Sequence, residues 1–251
     1  MARQEGIIKL KGQIGDLAFY KTQDGYQART KGGISADRIA KDPRFQRTRE
    51  NGAEFGRAAK AGKLFRTAFK TLTSQLADNK ISNRLAKQML KVIQADTINE
   101  RGMRLVLDAK TELLSRFEFN INGIMSTTVN MPYTTSIDRA AGLATINFAA
   151  FNARDLVVSP RGSTHFKLSA ATAVINFEDG VFELNVQDSS TLPVSDVAVP
   201  ATILSCNVAP AAIKPIFLLL GISFYQRVNG VDYILSNGAY NGLVVAQVSG
   251  L

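Results

Sequence analysis

The spacing of the apolar residues changes once along this chain, near Phe119, and that change limits the fold more than any single motif does. From about Ala53 to Leu76, the apolar positions Ala58, Ala61, Leu64, Phe65, Ala68, Phe69, Leu72 and Leu76 fall on one side of a helix wound at about 100° per residue. Ile81, Leu85, Met89, Val92 and Ile93 mark a second helix, with Ser82 as its expected cap, and a third is expected from about Glu100 to Arg116. After Phe119 the texture is β. Short runs of Val, Ile, Phe and Thr recur about every ten residues, and six of the seven prolines (132, 160, 193, 200, 210 and 215) punctuate them. AVINF and VFELNV flank Glu178-Asp179-Gly180, and ISFYQRV and VDYIL flank Asn229-Gly230, a strong hairpin signal because both turn residues tolerate positive φ. Nine or so strands with no helical pattern between them predict an antiparallel β-sandwich, jelly-roll-like, and argue against a parallel α/β fold.

The opening also alternates. Ile7 to Arg29 carries Gly15-Asp16 and Asp24-Gly25 between short runs, which predicts an N-terminal β-hairpin followed by Gly32-Gly33 as a flexible joint. The expected fold class is therefore α+β in three segments: a hairpin arm (1–33), a basic α-helical module (34–118) and the sandwich (119–251). An opening strand of this kind is suited to adding to a neighbour's sheet.

Charge divides at the same place. Residues 1–118 hold 24 Lys and Arg against 13 Asp and Glu, and residues 119–251 hold 6 against 8, for a net charge of +9 overall. Such asymmetry points to one half facing a polyanion or an acidic partner. The candidate contacts form two groups. Arg38, Lys41, Arg44, Arg47 and Arg49 crowd around DPRFQRTREN with Phe45 among them, and can bind phosphate or pair internally with Asp37, Asp42 and Glu50. Arg57, Lys60, Lys63, Arg66 and Lys70 make the polar side of the 53–76 helix almost uniformly basic, a face for nucleic acid or for an acidic protein surface.

Catalytic chemistry has little to work with. GRAAKAGK (56–63) has one residue too many between its glycines for a phosphate loop, has Leu64 where Ser or Thr is needed, and lies in a helical pattern. His165 is the only histidine, without the partners a metal or a triad requires. Cys206 is the only cysteine and sits in an alternating apolar strand, so it reads as a small buried residue and allows no internal disulfide. No catalytic residue, metal or cofactor is expected. The longest apolar run, Ile216 to Ile222, is far short of the ~18 residues of a membrane helix, and MARQEGIIKLKG does not read as a secretory signal. The expected location is the cytoplasm, or the interior of an assembled particle.

The strings FYKTQDGYQARTKGG (19–33) and RTRENGAEFGRAAKAGKLFR (47–66) resemble an uncharacterised set of bacterial proteins found in Bacteroidetes-type genomes, a resemblance that covers mainly the first ~70 residues and implies no activity. A basic segment joined to a β-sandwich is also similar in outline to small-virus coat proteins, although here the basic part is helical and not an extended arm. The resulting expectation is a self-assembling structural subunit (coat, capsid-like or filament protein, of phage-like derivation) that pairs with itself and faces nucleic acid or an acidic partner. The alternative is a non-assembling nucleic-acid-binding protein that uses the same basic face.

Overall fold

The computed structural model describes residues 2–30 and 33–250, so Gly32 of the expected joint is outside the described residues. The chain forms two compact units, Met1–Glu50 and Asn51–Leu251.

In the first unit, β1 (Ala2–Arg3), β2 (Gly12–Ile14), β3 (Leu17–Thr22) and β4 (Gly25–Thr30) form an antiparallel sheet in the order β1-β4-β3-β2. The expected hairpin is β3–β4, extended on both sides. Gly15-Asp16 turns β2 into β3 as read, with Gly15 at φ 54°, whereas the next turn is Gln23-Asp24 and Gly25, at φ 107°, opens β4. Facing residues in an antiparallel pair share a side of the sheet. The register therefore gathers Ile14, Leu17, Phe19, Lys21, Tyr26, Ala28 and Thr30 on one face and Gln13, Ala18, Tyr20, Thr22, Gln27 and Arg29 on the other. None of the described residues of this unit is buried. After the sheet, α1 (Ala36–Lys41) starts at Ser35, whose hydroxyl accepts from the Arg38 N–H at 3.3 Å.

The helices that follow are α2 (Gln46–Ala68), α3 (Lys70–Leu76) and α4 (Ile81–Gln94). The helix expected over 53–76 is divided at Phe69, whose φ of −102° leaves the helical region while its carbonyl accepts from both Leu72 and Thr73 to start α3. Seven of the eight apolar-face positions are buried; Leu64 is half-buried. The start of α4 is not capped by Ser82, which lies inside the helix; instead Asp78 Oδ1 accepts from the Lys80 N–H at 2.7 Å. The third expected helix does not form. Asp96 draws in the N–H groups of Ile98, Asn99 and Leu105 at 2.8–3.0 Å, and Gly102 takes φ 85°, so 100–107 is irregular and only a 3-10 stretch, Asp108–Leu114, follows. A carboxylate that satisfies three backbone donors offers the chain an alternative to helical bonding.

The remaining elements are α5 (Met125–Thr128), β5 (Tyr133–Asp138), β6 (Leu143–Phe148), β7 (Phe151–Asn152), α6 (Ala153–Leu156), β8 (His165–Asn176), β9 (Val181–Asp188), β10 (Leu192–Pro193), β11 (Ala198–Val199), β12 (Thr202–Asn207), β13 (Ile216–Val228), β14 (Val231–Ile234) and β15 (Gly242–Ser249). In the main sheet β13 is hydrogen-bonded along one edge to β8, which carries β9, and along the other to β15 and then β14; β12-β6-β5 form a second sheet. All pairings are antiparallel. Asn229-Gly230 closes β13 to β14 with φ 51° and 80°, as a two-residue primed turn requires.

Every residue from Ile216 to Phe224 is buried, because β13 has a layer on each face. Phe217 and Leu219, with Ala171, Ala173, Ile175, Leu243 and Val245, pack against Phe65, Leu85, Met89 and Ile93 of the helices. Leu218, Leu220, Ile222 and Phe224 point the other way and meet Ala144, Ile146, Phe148, Leu204 and Cys206 of the second sheet. The result is an α+β architecture of helices, sheet and sheet, the six-stranded and three-stranded sheets forming an antiparallel sandwich.

Candidate functional site: a basic helix face and an apolar cleft

The first group of cations is largely engaged. Arg38 Nε lies 3.3 Å from Asp42 Oδ2, with its guanidinium carbon 5.9 Å from the centre of the Phe45 ring. Lys41 Nζ is 2.7 Å from Asp37 Oδ1, and Arg47 Nη1 is 3.3 Å from Glu50 Oε2. Arg49 donates to the carbonyls of Ile39 and Asp42 at 2.7 and 2.9 Å, covering acceptors at the end of α1. The interleaved acids thus act as internal partners. Among the described residues, Arg44 alone of these five has a side chain that is exposed and without an ion pair or hydrogen bond, its backbone N–H being taken by Asp42 Oδ1 at 2.9 Å.

The second group stands on α2, held in place because Ala58, Ala61, Phe65 and Ala68 turn inward. Arg57 is fixed: its Nε donates to the Arg104 carbonyl at 2.7 Å and its Nη2 to that of Gly102. Beside it, buried Glu54 accepts from the Gly102 N–H at 2.8 Å and lies 3.9 Å from Arg104 Nη1. Lys60, Lys63, Arg66 and Lys70 have no ion pair or hydrogen bond from their side chains among the described residues; Arg66 is half-buried and the three lysines are exposed.

Next to this face is a cleft of about 600 Å³. Arg57, Lys60 and Lys63 are on its α2 side with Leu64, while Leu105 and Leu107 come from the irregular segment and Phe177 and Phe182 from the β8–β9 hairpin. Asn176 Oδ1 holds that turn by accepting from the N–H groups of Glu178 and Asp179 at 3.0 and 3.2 Å. Glu178, also in the lining, is 2.8 Å from Lys214 Nζ, whose ammonium holds the carboxyl below its ordinary range. Of the cleft residues, sequence reading singled out Arg57, Lys60, Ala61, Lys63 and Leu64, all on α2. The rest join them only through tertiary folding, and the one local trace was the Glu178-Asp179-Gly180 turn.

The residues weighed for catalysis have plain surroundings. Cys206 is buried, its thiol pushed up by burial, with Sγ 3.6 Å from the Ala170 carbonyl. His165 Nδ1 is 2.9 Å from Thr164 Oγ1; desolvation and the Arg227 guanidinium push its imidazole below the ordinary value against the pull of Asp232. Residues 56–63 are mid-helix in α2. Among the described residues no group of three His, Cys, Asp or Glu is arranged to hold a metal, and no helix is long and apolar enough to cross a membrane. Of the four α2 cations without a side-chain partner among the described residues, Lys60 and Lys63 line the apolar recess, and Arg66 and Lys70 lie outside it on the same helix.

Comparison with protein-family models, curated proteins and solved structures finds no match to this chain.

Proposed function

We propose that this chain is a self-assembling structural subunit, a coat, capsid-like or filament protein of phage-like derivation, whose basic α2 face meets nucleic acid. The observation that carries the reading is the N-terminal sheet. One face carries Ile14, Leu17, Phe19, Tyr26 and Ala28 together with Lys21 and Thr30, yet Ile14 and Leu17 are 61% and 43% exposed and none of the described residues of the unit is buried. Thin sheets without a packed face are marginal in water. Fully burying an Ile or Leu side chain is worth about 1.5–3 kcal/mol, so covering the exposed remainder of Ile14 and Leu17 with a neighbouring copy of the chain contributes roughly half of that for each. Charge supports the second half of the reading: the cations on α2 that lack internal partners suit phosphate, and each one neutralised releases counterions.

Size-exclusion chromatography with light scattering, on nuclease-treated and untreated protein at low and high salt, tests both halves. The expected result is a large species that Leu17→Lys shifts towards monomer, with a raised 260 nm absorbance before nuclease. A wild-type monomer free of nucleic acid at every salt overturns the reading. A monomer or dimer that binds nucleic acid salt-dependently favours the non-assembling alternative, which rests on the α2 cations alone.

A further inference from the structure

The cleft beside α2 has a composition that nucleic-acid binding does not need. Its walls are aliphatic and aromatic, from Leu64, Leu105, Leu107, Phe177 and Phe182, and the lining supplies few polar groups: Thr67 Oγ1 already faces the Lys63 carbonyl at 2.9 Å, and Glu178 is paired with Lys214. A base edge would find few partners for its donors and acceptors there, whereas an alkyl chain has none to lose. Cations outnumber acids beside these walls: Glu178 is the one carboxylate of the lining, and Lys214 engages it at 2.8 Å. Lys60 and Lys63 are exposed without an acidic partner, and Arg57 is held at the wall by two carbonyls. At about 600 Å³ the recess falls within the ~300–1,000 Å³ of small-molecule sites. The chain's own opening segment is a poor occupant, because IIKLK brings Lys9 and Lys11 to a rim that is already cationic.

From this complementarity we propose that the cleft binds a single-chain amphiphile with an anionic head, of the long-chain carboxylate type. The tail lies along Leu64, Leu105, Leu107 and Phe182, and the carboxylate is held by Lys60 and Lys63. This goes beyond the assembly reading and does not depend on it, although the two shared lysines make amphiphile and nucleic acid compete.

The test is isothermal titration of the full chain with dodecanoate below its micellar concentration, alongside dodecyltrimethylammonium, which has the same tail and the opposite head. Dodecanoate is expected to bind at one site and the cationic analogue at least about tenfold more weakly. Lys60→Glu with Lys63→Glu, on exposed positions, is expected to weaken dodecanoate about tenfold or more. Phe182→Glu, at a position 38% exposed, is expected to abolish binding while leaving duplex affinity within about twofold. Arg66→Glu with Lys70→Glu, outside the cleft lining, is expected to weaken duplex binding and leave dodecanoate unchanged, so a failure of the nucleic-acid reading is distinguishable from a failure of this one. Absence of dodecanoate binding, equal binding of both head groups, or binding unaffected by Phe182→Glu overturns the proposal.

Discussion

The cations on α2 make a quantitative prediction because the structure separates them from those already engaged. Lys60, Lys63, Arg66 and Lys70 have no side-chain partner among the described residues, whereas Arg38, Lys41 and Arg47 lie within 3.3 Å of a carboxylate. For duplex DNA the slope of log K against log salt is about −0.9 for each phosphate neutralised. Replacing all four free cations by Gln therefore flattens the slope by up to about 3.6, and between 50 and 200 mM salt the wild type loses up to roughly a hundredfold more affinity than the variant. The substituted side chains are exposed or half-buried and lie off the apolar side of α2, so the fold is expected to persist, which circular dichroism checks. The assay is fluorescence anisotropy of a labelled duplex of mixed sequence, titrated over a KCl series. As the control, Arg38→Gln, Lys41→Gln and Arg47→Gln together change the slope by about 1 or less, since those cations must first leave their carboxylates. A slope that the four-fold variant leaves unchanged, or that both variants flatten equally, refutes the assignment of the contact face.

Three further outcomes test the fold beneath the site. Phe65→Ala removes a fully buried ring whose centroid is 4.9 Å from that of Phe217 and 5.2 Å from that of Phe69; it is expected to cost about 3–5 kcal/mol, lowering Tm by about 6–20 °C in calorimetry, as a single transition because helices and sheet share one core. Gly142→Ala places a side chain at φ 66° and drives its Cβ onto the Val208 carbonyl oxygen, a backbone atom; about 2–5 kcal/mol is expected, read as a lowered urea midpoint. Asp96→Asn tests the acid sensitivity of the turn after α4. Burial pushes this carboxyl up, but bonds from Leu105, Asn99 and Ile98 outweigh it and hold it well below the usual range, so its stabilisation is present above the unfolded carboxylate value and lost as pH falls through the folded one. The gap in urea midpoint between wild type and Asp96→Asn is thus expected to be widest near neutrality and to narrow progressively below about pH 4.

Much of the architecture was legible because it rests on local rules. The five spaced residues of α4 are all buried, the Asn229-Gly230 turn falls where two positive-φ residues predict it, and the β texture after Phe119 becomes antiparallel sheets of six, three and two strands. What local rules missed has non-local causes. The pattern from Glu100 to Arg116 suits a helix, yet Asp96 and Glu54 take its backbone donors from outside the segment, and a wheel drawn on the segment itself does not contain them. The continuous apolar run Ile216 to Ile222 signalled burial, but only the register with β8 and β15 shows why alternate residues belong to different cores.

The candidate site divides in the same way. Sequence spacing placed five cations on one side of α2, and it could not tell that Arg57 is bound to carbonyls some 45 residues away while its neighbours are free. Counting charge alone would give all ten candidate cations equal weight. Partnering separates them physically, since a guanidinium already holding a carboxylate must give up that interaction before it meets a phosphate, and a lysine on an open helix face gives up only water. The N-terminal unit follows the same logic with apolar surface in place of charge: Ile14 and Leu17 share one face of its sheet and remain exposed. A chain that keeps unpaired cations on one element and an uncovered apolar sheet face on another has two surfaces of different chemistry, and one partner of uniform character does not complement both. In the function proposed above, nucleic acid meets the first and a second copy of the chain covers the other, so binding and assembly are expected to respond to different substitutions, Lys60→Gln to Lys70→Gln for one and Leu17→Lys for the other.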